Sequence, residues 1–192
     1  MLSYDVVINR EHPLGNSSRP SDLVEPAVCW SRDAVGEKRL MRREAARRLE
    51  KMFEEAEGQG IHLLGVSAYR SYERQSQIYQ ESIKNRGIEH TEKYIALPGT
   101  SEHQSGLAID VSNEALDGEL EEEFALSREG LWLAKNASLY GFIIRYPKGK
   151  EEITGYGYEP WHIRYVTEPL AFYLTKMGMV LEEYHALLNR EK

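Results

Sequence analysis

The sequence predicts an α+β domain in which helices flank a small, mainly antiparallel sheet. Three observations lead there. Helical and hairpin-like strand segments come in blocks, without the regular βα alternation of a parallel sheet. The chain carries no internal repeat and no interior linker. Its 192 residues fit one compact domain, large enough to bury a full core. The whole span 1–192 is therefore read as a single domain, with residues 1–27 as an extended arm packed on it.

The elements follow in order. Residues 9–27 are rich in Pro, Ser, Asn and Gly, which suits the arm. Over 37–57 the pattern turns helical: Leu40, Ala45, Leu49, Met52, Phe53 and Ala56 make one apolar stripe, and Gly58 and Gly60 end it. Residues 61–68 read as a buried strand. Ser71 opens a second helix that stops at Gly87. Leu97-Pro98-Gly99-Thr100 is a loop, and 106–111 a strand. Residues 113–123 form a strongly acidic insertion without periodicity. Ser127 caps a helix running to about Tyr140, with Gly141 as its stop. Strands over 142–146 and 161–166 bracket a turn-rich hairpin at 151–157. Two short helices, from about Glu168 and Leu181, close the chain.

Composition narrows the function. Hydrophobic residues make up 41% and charged residues 29%, ordinary values for a globular protein. A net charge of -7 argues against a general nucleic-acid footprint and against binding an anionic surface by charge alone. Cys29 is the only cysteine, so no internal disulfide or thiolate cluster can form. Beside Trp30 it reads as a small buried hydrophobe. No run approaches the ~20 apolar residues of a membrane-spanning helix. The start, Met1-Leu2-Ser3-Tyr4-Asp5, lacks a basic signal region. The expectation is a cytoplasmic protein if the chain is whole, and an extracytoplasmic one if a signal or anchor was removed.

Three segments carry chemistry. In Ser101-Glu102-His103-Gln104-Ser105-Gly106-Leu107-Ala108-Ile109-Asp110, His103 precedes a glycine turn and Asp110 lies in a strand. Alternation sends Leu107, Ile109 and Val111 to one face, and Ala108 and Asp110 to the other. An Asp among aliphatics needs a partner for its charge. In Glu159-Pro160-Trp161-His162, Pro160 cannot donate to a ladder, so Glu159 stands at the strand's entrance. His162 points opposite Trp161 and Ile163. If the two strands are neighbours, His103, Asp110 and His162 meet around one zinc, with a fourth position open for water. Glu159 is then placed to act as general base. In Tyr69-Arg70-Ser71-Tyr72-Glu73-Arg74-Gln75, Arg70 can grip a terminal carboxylate or an oxyanion, and Gln75 can add a polar contact.

Each of these residues has an ordinary structural reading when taken alone. Their joint occurrence favours a site. His12, His62, His90 and His185 lack such a setting and read as structural or solvated. The acids Glu114, Asp117, Glu119, Glu121, Glu122 and Glu123 read as a solvated loop. That loop leaves from the Asp110 strand and so starts at the rim of the site.

The pattern Ser101-x-His103-x-x-Gly106-x-Ala108-x-Asp110 followed by Glu159-Pro160-Trp161-His162 resembles the VanY-type D-alanyl-D-alanine carboxypeptidases. These belong to the zinc peptidases that include lysostaphin-type enzymes and the hedgehog domain. The likeness runs on through Ala96-Leu97-Pro98-Gly99, Tyr140-Gly141-Phe142-Ile143-Ile144-Arg145-Tyr146-Pro147 and Ile163-Arg164-Tyr165-Val166, covering nearly the whole chain. The resemblance implies a hedgehog/D,D-peptidase-like fold and one zinc per chain on His103, Asp110 and His162. It implies Glu159 as catalytic base and substrate binding by Arg70, Ser101 and Gln75. The implied partner is a cell-wall peptide or dipeptide ending in D-alanine. Compact VanXY-type enzymes resemble this chain in length. Related L,D-carboxypeptidases share the motifs and act on tetrapeptides. The hedgehog domain shows that the scaffold also serves as a non-catalytic binding module, which would predict a damaged base or ligand set. Here all four positions are intact.

Overall fold

The computed structural model describes residues 2–16 and 19–190. Part of the arm read over 1–27, namely Met1, Ser17 and Ser18, lies outside the described residues.

The first pairing is a two-residue antiparallel ribbon, β1 (Leu23–Val24) with β2 (Met41–Arg42). Helix α1 (Arg43–Gly58) follows at once. It starts later than position 37 because residues 36–39 form a 3-10 turn and the chain then extends into β2. The Arg42 amide donates to the Gly106 carbonyl at 2.9 Å, a long-range bond that overrides local helix propensity. Strand β3 (Leu64–Ser67) leads through a short loop to α2 (Tyr72–Arg86). Ser71 caps α2 by accepting from the Arg74 amide at 3.2 Å. A helix that the sequence reading missed, α3 (Ile88–Tyr94), restarts after Gly87 turns the chain at φ 84°. It is seven residues long and has no apolar stripe to betray it.

Next come β4 (Ala108–Ser112), two 3-10 turns in the acidic insertion, and α4 (Arg128–Asn136). Ser127 caps α4 as expected, accepting from the Gly130 amide at 3.0 Å. Strand β5 (Phe142–Tyr146) follows, then α5 (Glu151–Thr154). This single helical turn, closed by Gly155 at φ 76°, replaces the expected hairpin. Strand β6 (Glu159–Tyr165) and the helices α6 (Glu168–Met177) and α7 (Leu181–Arg190) complete the fold.

The main sheet has the order β3-β4-β6-β5, and every neighbouring pair is antiparallel. The mixed helix and antiparallel-sheet architecture is the one expected. One sheet face is core: Leu107, Ile109, Val111 and Ile163 pack against Ala45, Leu49, Met52 and Ala56 of α1. The opposite face is left for Ala108, Asp110 and His162. A second cluster joins Ile143 and Val166 to Ala171, Leu174 and Leu181 of the last two helices.

Cys29 is exposed, contrary to expectation. Trp30 beside it takes the inward position, over the backbone of Gly65, where a Cβ would lie 2.6 Å from the indole. Alternation then turns Cys29 outward. The N-terminal segment is held through its carbonyls. Arg164 Nη2 donates to Tyr4 O and Val6 O at 3.0 and 2.9 Å, and Arg42 Nη1 to Leu2 O at 2.9 Å. Among the described residues, no helix is long and apolar enough to cross a membrane.

Candidate active site

The site begins with strand register. Asp110 and His162 are direct partners across β4 and β6, so their side chains share a face. His162 Nδ1 lies 3.0 Å from Asp110 Oδ1. His103 arrives from a 3-10 turn (Glu102–Ser105) that Gly106 closes at φ 68°. A Cβ on Gly106 would stand 2.7 Å from Leu23 Cδ2, so glycine answers both the left-handed backbone and the close approach. The turn brings His103 Nε2 to 3.2 Å from Asp110 Oδ2. The two imidazoles stand almost perpendicular, with ring centres 4.9 Å apart. One ligand atom from each of the three residues lies within 4.8 Å of the others.

Glu159 and His162 are three positions apart, a spacing that sends side chains to opposite faces of a regular strand. The ladder breaks this rule. Ile144 pairs with Ile163 and Tyr146 with Glu159, so β6 uses four residues where β5 uses two. The irregularity at Pro160 and Trp161 turns Glu159 into the same cavity as His162, with Glu159 Oε2 3.8 Å from His162 Nδ1. It also brings Trp161 to the cavity wall, where strict alternation had placed it away.

Arg70 follows β3 and is aimed by two acceptors. Its Nη1 donates to Gln75 Oε1 at 3.0 Å and its Nη2 to Ser67 Oγ at 3.3 Å. Gln75 in turn donates to Ala96 O at 2.7 Å. Gln75 is thus buried behind Arg70 and is not among the residues lining the cavity, whereas Arg70, Ser101 and Glu159 are. The cavity measures about 210 Å³. Its wall includes residues to which the sequence reading assigned no role: Ile95, Leu120, Tyr146 and Tyr156. The ring of Tyr146 lies 4.9 Å from that of His162. From the acidic insertion it is Leu120, and none of the six acids, that lines the cavity.

Protonation tests what belongs between the three ligands. His103 Nδ1 is 2.6 Å from Ala68 O. A carbonyl only accepts, so Nδ1 carries the proton. Burial lowers the His103 pKa, despite the pull of Asp110, and the ring stays neutral with a bare Nε2. Burial opposes ionisation of Asp110, yet His103 and His162 hold it well below the usual carboxylate range. A lone pair therefore faces a carboxylate oxygen at 3.2 Å, which calls for a cation between them. Two imidazole nitrogens and a carboxylate oxygen suit a borderline divalent metal. Glu159 is different. Burial pushes its pKa up to about 7, with His162 and Arg70 opposing and Asp110 adding repulsion.

The chain as a whole is similar to known proteins. Residues 38–168 match the family described as VanY: D-alanyl-D-alanine carboxypeptidase. The putative carboxypeptidase YodJ of Bacillus subtilis is 44% identical over 93% of this chain, which spans 65% of YodJ. The bifunctional D-Ala-D-Ala dipeptidase and carboxypeptidase VanXYC of Enterococcus gallinarum is 37% identical, over 95% of this chain and 93% of its own. Among solved structures, the LD-carboxypeptidase LdcB superposes with a TM-score of 0.89 at 44% identity, covering 94% of this chain and 84% of LdcB. A mutant of the vancomycin-resistance D,D-pentapeptidase VanY, in complex with Zn(II), gives 0.77 at 32% identity, covering 94% and 98%. With its motifs converging on one cavity and the family match spanning most of its length, the chain belongs to the VanY D-alanyl-D-alanine carboxypeptidase family.

Proposed function

We propose that the chain is a zinc-dependent D,D-carboxypeptidase that removes C-terminal D-alanine from cell-wall peptides, and that it also accepts the D-Ala-D-Ala dipeptide. The observation that carries this reading is the convergence of His103, Asp110 and His162 in one cavity with Glu159 and Arg70. The three ligands would hold one zinc, in keeping with the Zn(II) complex of the VanY relative. When bound, zinc acts as a Lewis acid that activates water and polarises the scissile carbonyl.

The chain's own residues do the rest. Glu159, with a pKa near neutrality, accepts a proton from the attacking water and returns it to the leaving D-alanine nitrogen. Arg70, fixed by Gln75 and Ser67, grips the terminal carboxylate, which favours cleavage of the last residue. Tyr146, Tyr156 and Trp161 supply aromatic wall to the cavity. The cavity is smaller than the about 300–1,000 Å³ of pockets for drug-sized ligands, which suits a small terminal residue.

The closeness to LdcB favours a second reading, an L,D-carboxypeptidase acting on tetrapeptides. One assay separates the two. Free D-alanine is measured from D-Ala-D-Ala, from a pentapeptide ending in D-Ala-D-Ala, and from a tetrapeptide with an L-centre before its D-alanine. The pentapeptide and dipeptide are expected to be cleaved, and a chelator to stop the reaction. Exclusive cleavage of the tetrapeptide would install the L,D reading. Release from none would overturn both.

A further inference from the structure

We infer that Glu102 is a positioning residue for the metal site: its buried carboxylate holds the Nε2 edge of His162, so that the Nδ1 lone pair is presented to the cation. The inference rests on the zinc reading above and concerns what aims one ligand.

Glu102 directly precedes His103 and is 1% exposed. Its two oxygens have different surroundings. Oε1 accepts from Arg145 Nε at 2.8 Å and from Arg164 Nη1 at 2.6 Å. Both arginines are completely buried. Arg145 also donates to both carboxylate oxygens of Glu182 on α7, at 3.0 and 2.6 Å. Two guanidinium groups and two carboxylates thus balance in charge without involving His162. Oε2 takes no part in that balance. It has no hydrogen bond and faces His162 Nε2 at 3.5 Å, an atom equally buried and equally without a hydrogen-bond partner.

A structural role in neutralising the arginines explains Oε1 and leaves the direction of Oε2 unexplained. Protonation explains it. If His162 carried its proton on Nδ1, the bare Nε2 would face a carboxylate oxygen, acceptor against acceptor, in a buried site. With the proton on Nε2, that edge points at an acceptor and Nδ1 is free to bind the cation beside Asp110. Ligating histidines are commonly oriented in this way by a carboxylate on the far nitrogen. The two arginines that donate to Oε1 supply the positive charge that balances the Glu102 carboxylate.

The test compares four variants with wild type, using zinc affinity by chelator competition and nitrogen NMR of the His162 ring. In Glu102→Gln the arginines claim the amide oxygen, which turns the NH2 toward His162 Nε2. That donor favours the wrong tautomer. The Nε2–H signal of His162 is expected to be lost, and zinc affinity to fall by roughly 10–100-fold. Glu102→Asp keeps the charge for the arginines but withdraws the carboxylate from His162, so it should fold and still bind zinc more weakly. Glu182→Gln cuts the same network away from His162. It should lower the thermal midpoint of the metal-free protein, because it breaks a buried pair, and leave zinc affinity unchanged. Unchanged zinc affinity in both Glu102 variants would overturn the inference. So would an equal loss in Glu182→Gln, since the network would then act only through the fold. His162→Ala separates the two levels: if it binds zinc as wild type does, the zinc reading itself falls, whatever Glu102 shows.

Discussion

At Glu159 two demands meet: the carboxyl must lose its proton to act as a base, and its surroundings resist the loss. Glu159→Gln should keep zinc and lose about 10²–10⁴-fold in turnover, read by metal analysis beside D-alanine release. Wild-type turnover in this variant would put the base elsewhere. The resistance has a second consequence, visible in metal-free protein. The folded pKa of about 7 lies above the ordinary 4.5, so folding favours the protonated form. The associated stability is fully present below about pH 4.5 and is lost as pH rises to about 7. Gln is neutral throughout. Metal-free Glu159→Gln should therefore match wild type near pH 4 and exceed it by ~1–3 kcal/mol near pH 8, in denaturant unfolding. Equal stability at both values would mean the carboxyl is not strained by its burial. Arg70 gives a sharper substrate prediction. Arg70→Ala should depress cleavage of free-acid peptides, and wild type should discriminate strongly against the C-terminal amide. Equal cleavage of acid and amide by wild type would remove carboxylate recognition from Arg70.

The elements divide into those that aim the site and those that only support it. Gly106→Ala forces a side chain into a left-handed turn and against Leu23, at about 1–2 kcal/mol for the backbone alone. The same turn carries His103, so zinc affinity should fall with stability. Leu49→Ala, in the middle of α1, should lose ~2–5 kcal/mol and leave zinc affinity unchanged in the folded protein. The converse pattern would mean that the turn does not position His103. What could be read from sequence follows the same division. The apolar stripe of α1 and the alternation around Asp110 were legible, because period and residue type report directly on the face buried. The convergence of His103, Asp110 and His162 was legible because His, Asp and His recur in a spacing that ordinary structure rarely produces together. Where tertiary contact decides, the sequence was silent. The slip at Pro160 that reunites Glu159 with His162 depends on β5. The short α3 lacks a stripe. Cys29 turns outward because Trp30 fits over Gly65. Glu102 carried no signal of its own in the sequence, because its setting is made by Arg145 and Arg164 from distant strands.

At the scale of the whole molecule, the N-terminal segment acts as an acceptor for buried arginines. Deleting residues 2–8 removes the carbonyls that Arg164 and Arg42 use, together with the fully buried Ile8. Each orphaned donor costs about 1–3 kcal/mol, so the thermal midpoint should fall sharply. An unchanged midpoint would show that water replaces those bonds freely. The pairing of Asp110 with His162 has a temporal meaning as well. The two residues are 52 positions apart in the chain, and His162 lies in β6, the last strand of the sheet to be synthesised. While the polypeptide is emerging from the ribosome, α1, β3 and β4 precede the residues that complete the donor set. The contact closes a long loop, and such non-local pairing is slow to form. The proposed metal site therefore cannot assemble in the nascent chain before β6 has been made and the sheet's central pair, β4 with β6, has formed.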